Sequence, residues 1–328
     1  MLCRPPRSRL GKPGHNWGPP TMSQTPAKPS SASQATTATP SHSQRAQHSD
    51  HRVATAATPP PQRQNKRHRR LRRLRAHVAR PVDLAHCDIP AVLCCLASGL
   101  CDASAFAAWG CFVSMQTGNS VFLCLGASQL PAGGEPYGWA KSLISIAAFV
   151  AGSLCWAQAS RRAGPTRRAT LAGSFAVQVT FTAVAAALVQ AGVVPSSITS
   201  SSGSSGSSAP GERDSQEFLE RVPVALLAFQ SAGQLSTAQL VGVGEVPTVV
   251  LTSVYHGLAA DAGFFRRRNV HRDRRIAGVI AFFAGAISGG WLERSRGGIA
   301  AALWISAAVK LGITASWLFW KAEKTGDG

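Results

Sequence analysis

Apolar residues fall into long blocks along the chain, and polar residues collect between them. Ile89 to Gly134 contains one charge, Asp102, and Ser142 to Ser160 contains none. Ala169 to Gly211 is also uncharged, although only Ala169–Val194 is apolar; Val222–Gly244 and Val246–Ala260 flank Glu245. Ile276–Leu292 is uncharged, and Gly297–Trp320 carries only Lys310. A helix needs roughly 20 mostly apolar residues to cross hydrocarbon, and most of these blocks are that long. A buried helix of a soluble protein would keep one polar stripe. These blocks instead vary among Ala, Leu, Val, Ile, Phe, Gly, Ser and Thr, a mixture suited to close helix packing in lipid. The alternation that marks a membrane barrel is absent from them. The pattern predicts an all-α, polytopic transmembrane helical bundle.

Charges between the blocks assign sides. Arg161, Arg162, Arg167 and Arg168 form one basic cluster, and Arg266, Arg267, Arg268, Arg272, Arg274 and Arg275 form another. Both are expected on the cytoplasmic side, with the N-terminal tail and with Lys321 and Lys324. The Ser/Gly-rich segment Pro195–Arg221 reads as a flexible loop on the opposite side. Three apolar blocks then lie where an even number of crossings is required, and two where an odd number is required. One block of each pair must be re-entrant, or each pair must form one broken helix. The count is six net spans, or up to eight if a loop is misplaced. Two halves of three crossings each would be inverted relative to one another, a 3+3 repeat plan found in many secondary transporters. A faint repeat agrees: Gln116-Thr117-Gly118-Asn119 answers to Leu251-Thr252-Ser253-Val254, and Phe149-Val150-Ala151-Gly152-Ser153 answers to Phe282-Phe283-Ala284-Gly285-Ala286.

The excess positive charge belongs to the tail. Residues 1–81 hold sixteen of the 34 Lys and Arg residues and one acid, Asp50, so they supply fifteen of the nineteen net positive charges. Rich in Pro, Ser, Thr, Gln and Ala, the tail buries too little to offset its chain entropy and is expected to be disordered and cytoplasmic. Its basic end, Arg63 to Arg80, directly precedes the first apolar block. It reads as a topology signal, and as a patch for anionic lipid headgroups worth about 1 kcal/mol per basic side chain. Nucleic acid is not an expected partner, because the adjoining apolar block belongs in a bilayer. A presequence would suit the scarcity of acids, but the prolines oppose the amphipathic helix it needs. The domains are thus a tail (1–81), a transmembrane domain (82–322) with halves 88–194 and 222–322 joined by the loop 195–221, and a short C-terminal tail (323–328).

A few polar residues lie at membrane depth. Asp102 costs on the order of 3 kcal/mol there and needs a partner. It is an ion or proton site, or a hydrogen-bonded helix contact. Lys310 raises the same question, and a pair with Asp102 would neutralise both. Gln116, Thr117, Gly118 and Asn119 read as a break in a helix, tolerated where it is buried or lines a cavity. Glu245, just before Pro247, is a comparable break, with Thr252 shortly after it. Gln230 and Gln234, one turn apart, either line that cavity or bind a neighbouring helix. The cysteines lack paired CxxC spacing, so no metal site is expected. The sequence has no Walker loop, dinucleotide fingerprint, HExxH or GxSxG, so no cofactor and no soluble-type enzyme site is expected.

Gly99-Leu100-Cys101-Asp102-Ala103, followed by Phe112-Val113-Ser114-Met115-Gln116-Thr117-Gly118-Asn119, resembles the signature of the YoaK-like family, domain of unknown function 1275. Leu227–Gln234 and Glu245–Ser253 are similar to its fungal branch, with Ser253 where many relatives carry Gly. The resemblance runs from about Asp88 to Trp320 and implies a multi-pass membrane protein without an assigned activity. Two functions fit: a small-solute or ion transporter, or a non-transporting scaffold, assembly factor or sensor that docks through its basic tail.

Overall fold

The structure is a computed structural model that describes residues 62–128, 138–195, 210–244, 246 and 251–323; for 62–65, 67 and 210–217 it describes the backbone alone. Those residues form helices and no strands. The helices are α1 (Gln62–Val78), α2 (Asp88–Trp109), α3 (Gln116–Ala127), α4 (Gly138–Ala163), α5 (Arg168–Gln190), α6 (Pro210–Leu240), α7 (Thr252–Ala259), α8 (Val270–Glu293) and α9 (Gly298–Phe319). Five of them, α2, α4, α5, α8 and α9, are long and apolar enough to cross a membrane. The sixth long helix, α6, carries more glutamine and packs among them. The bundle turns apolar side chains outward: Leu154, Ile280, Ile287 and Leu311 are exposed, while Ser98, Ser145, Gln178, Thr182 and Ser306 are buried. That inversion suits a hydrocarbon solvent, in which polar groups must find partners inside the protein. The protein is an integral membrane protein.

Cross-links between helix ends fix the topology. At one end the Val82 amide donates to Thr166 O (2.9 Å), the Asp83 amide donates to Lys321 O (2.9 Å), and Arg274 pairs with Asp88 (3.4 Å). At the other end Trp109 Nε1 donates to Pro195 O (3.0 Å), Trp304 Nε1 donates to Gln190 Oε1 (2.7 Å), and Lys141 pairs with Glu220 (2.5 Å). Thus α2, α5 and α8 run one way and α4, α6 and α9 the other. Both arginine-rich loops and the C-terminal end of α9 share the first end. The two short helices are re-entrant. After α2 the chain turns at Gly110, whose φ of 65° is the left-handed cap that glycine adopts at low cost. It folds back to the level of Asp102, and α3 then returns antiparallel to α4, so that Asn119 reaches Ser145 while Gly126 abuts Trp139. On the opposite side α7 is tied to the start of α8 by Arg275 Nη1 donating to Gly257 O (3.0 Å).

Each half reads long, short, long, long: α2–α5 and then α6–α9. The halves exchange partners, with α2 packed along α8, α6 along α4, and α5 along α9. The contacts repeat in detail. A Cβ on Gly152 would meet Phe229 O, and a Cβ on Gly285 would meet Leu96 O. One turn on, Gly233 makes room for Trp156 where the other crossing has Gly289 beneath Leu100, so the small residue has changed sides. These crossings are inverted-repeat contacts made at backbone distance, as small residues allow in lipid.

Two expectations need correction. The tail is helical over 62–78: beyond Pro61 the run is proline-free and dominated by Arg, Leu and Gln, which are good helix formers. Its last turn is anchored, with His77 Nε2 against Leu318 O (3.0 Å) and His77 Nδ1 against Arg168 Nη1 (3.0 Å). The disorder expected for residues 1–61 lies outside the described residues. The loop expected over 195–221 ends sooner, because α6 starts at Pro210, a residue whose fixed φ suits a first turn. Residues 196–209 lie outside the described residues.

Candidate functional site

Asp102 is 2% exposed and fully engaged. Its Oδ1 accepts the amides of Val113 and Ser114, both at 2.8 Å, and its Oδ2 accepts the Ser114 hydroxyl. The re-entrant turn has no helical carbonyls to receive those amides, and the carboxylate of α2 replaces them. Ser231 of α6 donates to Val113 O (3.0 Å) from the other half. Asn119, 0% exposed, works on the same turn. Its Oδ1 accepts the Phe112 amide (3.0 Å), and its Nδ2 donates to Phe112 O (2.7 Å) and Gln116 Oε1 (2.9 Å). Gln116 Nε2 reaches Ser145 Oγ (3.2 Å). Gly118 leaves room for the Phe112 ring, which stacks with Phe106 at 4.7 Å. Asp102, Gln116, Gly118 and Asn119 therefore form one clamp on the re-entrant turn. The chain breaks over 110–115, and Gln116–Asn119 opens α3 with the Gln116 and Asn119 side chains bonded within the protein.

Thr117 and Thr252 stand exposed at the starts of α3 and α7. Glu245 lies outside the described residues. Gln234 binds a neighbouring helix: its Nε2 donates to Cys94 O (3.1 Å) and Ser98 Oγ (2.7 Å) of α2.

The Asp102–Lys310 pair does not form. Asp102 spends its acceptors on the turn, and Lys310 lies in another polar cluster. Lys310, 1% exposed at the middle of α9, donates from Nζ to Gln178 Oε1 of α5 (3.0 Å) and to Gln230 Oε1 of α6. Among the described residues no carboxylate comes within ion-pair distance of it. Gln178 belongs to the first half of the chain, Gln230 and Lys310 to the second, so the cluster straddles the boundary between the repeats. Gln178 was not among the residues expected from the sequence. The available signal was a glutamine midway along a charge-free block. Toward the basic end lies a cavity of about 10 Å³, lined by Cys94, Gln234, Thr237 and Trp317 among others. That is room for about one water. The indole Nε1 of Trp317 has no hydrogen-bond partner among the described residues.

Comparison with known proteins yields one match. No curated protein and no solved structure matches the chain. The family described as "Protein of unknown function (DUF1275)" matches residues 90–316, which include the clamp on the re-entrant turn and the lysine cluster. The chain, an integral membrane protein by its helices, belongs to the DUF1275 family.

Proposed function

We propose that the protein is a small-solute or ion transporter whose polar centre is Lys310 with Gln178 and Gln230. The observation that supports this reading is a buried lysine amine, faced by two amide carbonyls and, among the described residues, by no carboxylate, at the boundary of two inverted halves. A charged group at that depth is costly, and transporters place such groups on their substrate or ion pathway near the midplane. A cation of this kind suits an anionic solute or a translocated proton. Asp102 and Asn119 belong to the scaffold in this reading, since they hold the re-entrant turn. The basic loops, and with them both termini, face the cytoplasm.

The experiment is reconstitution into liposomes with a screen of anionic metabolites, inorganic anions and proton flux, comparing the wild type with Lys310→Met. Uptake by the wild type that falls at least tenfold in the variant supports the reading. No uptake of any kind by folded wild type, or equal uptake by both, contradicts it.

A scaffold or sensor is the second reading, and α1 favours it. Arg69, Arg70, Arg72, Arg73 and Arg75 are exposed on a helix whose last turn is fastened to the bundle through His77. Exposed Leu71 and Leu74 lie among them. Such a helix suits an anionic membrane surface.

A further inference from the structure

A second feature, unconnected with the lysine cluster, lies on the flank of the bundle. Helices α4 and α5 scarcely touch, and α6 forms the floor between them. The resulting crevice has a volume of about 430 Å³ and is lined by Ile144, Ala148, Phe181, Val222, Ala225 and Phe229. Arg221, with Phe218, stands at one end of it. From Arg221 to Phe229 is two turns of α6, about 12 Å at 1.5 Å per residue. The walls are apolar along that length, and among the described residues Arg221 is the one charged lining group.

Among the described residues Arg221 is also uncompensated. Its neighbour Glu220 is held by Lys141 at 2.5 Å. The Arg221 guanidinium lies over the Phe218 ring at 5.1 Å, and its buried Nε has no hydrogen-bond partner among the described residues. A crevice in the wall of a membrane bundle is bathed by acyl chains, and an unfilled one forfeits dispersion contacts along its lining. Arg221 lies about three turns into α6, next to Glu220, which pairs with Lys141 near the start of α4, so this cation stands toward the end of the bundle where headgroups are expected. Guanidinium is the group that matches phosphate oxygens in geometry and charge.

We propose that this crevice binds one anionic glycerophospholipid, with an acyl chain along Ala148, Ala225 and Phe229 and its phosphate on Arg221. The site lies at the end of the bundle opposite the basic loops, so it is separate from any headgroup binding by α1.

The test is native mass spectrometry of the full-length protein, delipidated in detergent and titrated with phosphatidylglycerol or phosphatidylcholine of matched chains. The wild type should retain one phosphatidylglycerol about tenfold more tightly than phosphatidylcholine, near the value of one charged hydrogen bond. R221Q should abolish that preference, and R221K should restore part of it. A225F, which fills the crevice, should release both lipids. R162Q, at the opposite end of the bundle, should behave as wild type and control for loss of charge in general. Equal retention of the two lipids by the wild type, undiminished preference in R221Q, or unchanged binding in A225F would each overturn the proposal. So would a wild type that takes up no lipid, the result expected if another segment of the chain covers the crevice.

Discussion

Asp102 and Ser114 are joined twice: the carboxylate accepts the Ser114 amide at 2.8 Å through Oδ1 and the Ser114 hydroxyl through Oδ2. With the Val113 amide, also at 2.8 Å, the α2 side chain carries the polar load of the re-entrant turn. An acid in a membrane span invites an ion-binding interpretation, and here its oxygens are engaged by two backbone amides and a hydroxyl.

That assignment separates two substitutions at one position. Asp102→Asn keeps an oxygen for both amides, and the Ser114 hydroxyl can turn to accept from the new NH₂. It should fold and melt close to wild type. Asp102→Ala strands both amides at a cost of about 1–3 kcal/mol each. Unfolding midpoints in detergent measure the difference. An alanine variant as stable as wild type would show that the clamp does not hold the turn.

The glycine crossings predict a steric asymmetry. A Cβ at Gly99 would stand 2.1 Å from Phe282 O, and one at Gly285 would stand 2.1 Å from Leu96 O, whereas one at Gly173 meets nothing within 4 Å. Gly99→Ala and Gly285→Ala should each destabilise by about 1–3 kcal/mol, because two backbones must separate. Gly173→Ala should be neutral or stabilising through helix propensity. Thermal unfolding of the three variants checks the order.

Asp261 gives a pH-dependent loop. The Gly263 amide (2.7 Å) and Asn269 Nδ2 (2.7 Å) hold its carboxylate below the usual range. A carboxylate with a depressed folded pKa contributes fully above its unfolded value, about 3.9, and loses that contribution as the pH falls through the folded value. Amide exchange at Gly263 should therefore stay protected at neutral pH and accelerate, beyond the intrinsic rate, below about pH 4. In Asp261→Asn that acid-dependent step should disappear. An identical pH profile in both proteins would contradict the assignment.

The range of each interaction decided how much of it the sequence could reveal. Charge-free blocks and arginine clusters are local signals, and they led to six crossings with a re-entrant element in each half. Gln116–Asn119 stood out because four small or polar residues interrupt an apolar run. Partner choice was not legible. Asp102 and Lys310 are the two charges inside spans, so pairing them was the economical reading. The partners of Asp102 are two backbone amides, which no side-chain pattern announces, and the Ser114 hydroxyl; Gln178 is neutral and shares its block with Ser174, Thr182 and Gln190, so nothing singles it out. Helix α1 was missed because composition argued for disorder while local propensity favoured a helix, and the anchor at His77 involves Leu318 and Arg168, remote in sequence.

The inverted-repeat topology requires α3 to be re-entrant and both basic loops to lie on one side. With the eight native cysteines replaced, single cysteines at the exposed positions Ala163, Ala262, Ser128 and Val193 can be labelled by an impermeant maleimide in sealed, oriented vesicles. Cysteines at 163 and 262 should react from one side of the membrane, and those at 128 and 193 from the other. A cysteine at the exposed Leu84, before α2, should react with those at 163 and 262; one at 84 that reacts instead together with the one at 128 would make α3 a full crossing and contradict that topology.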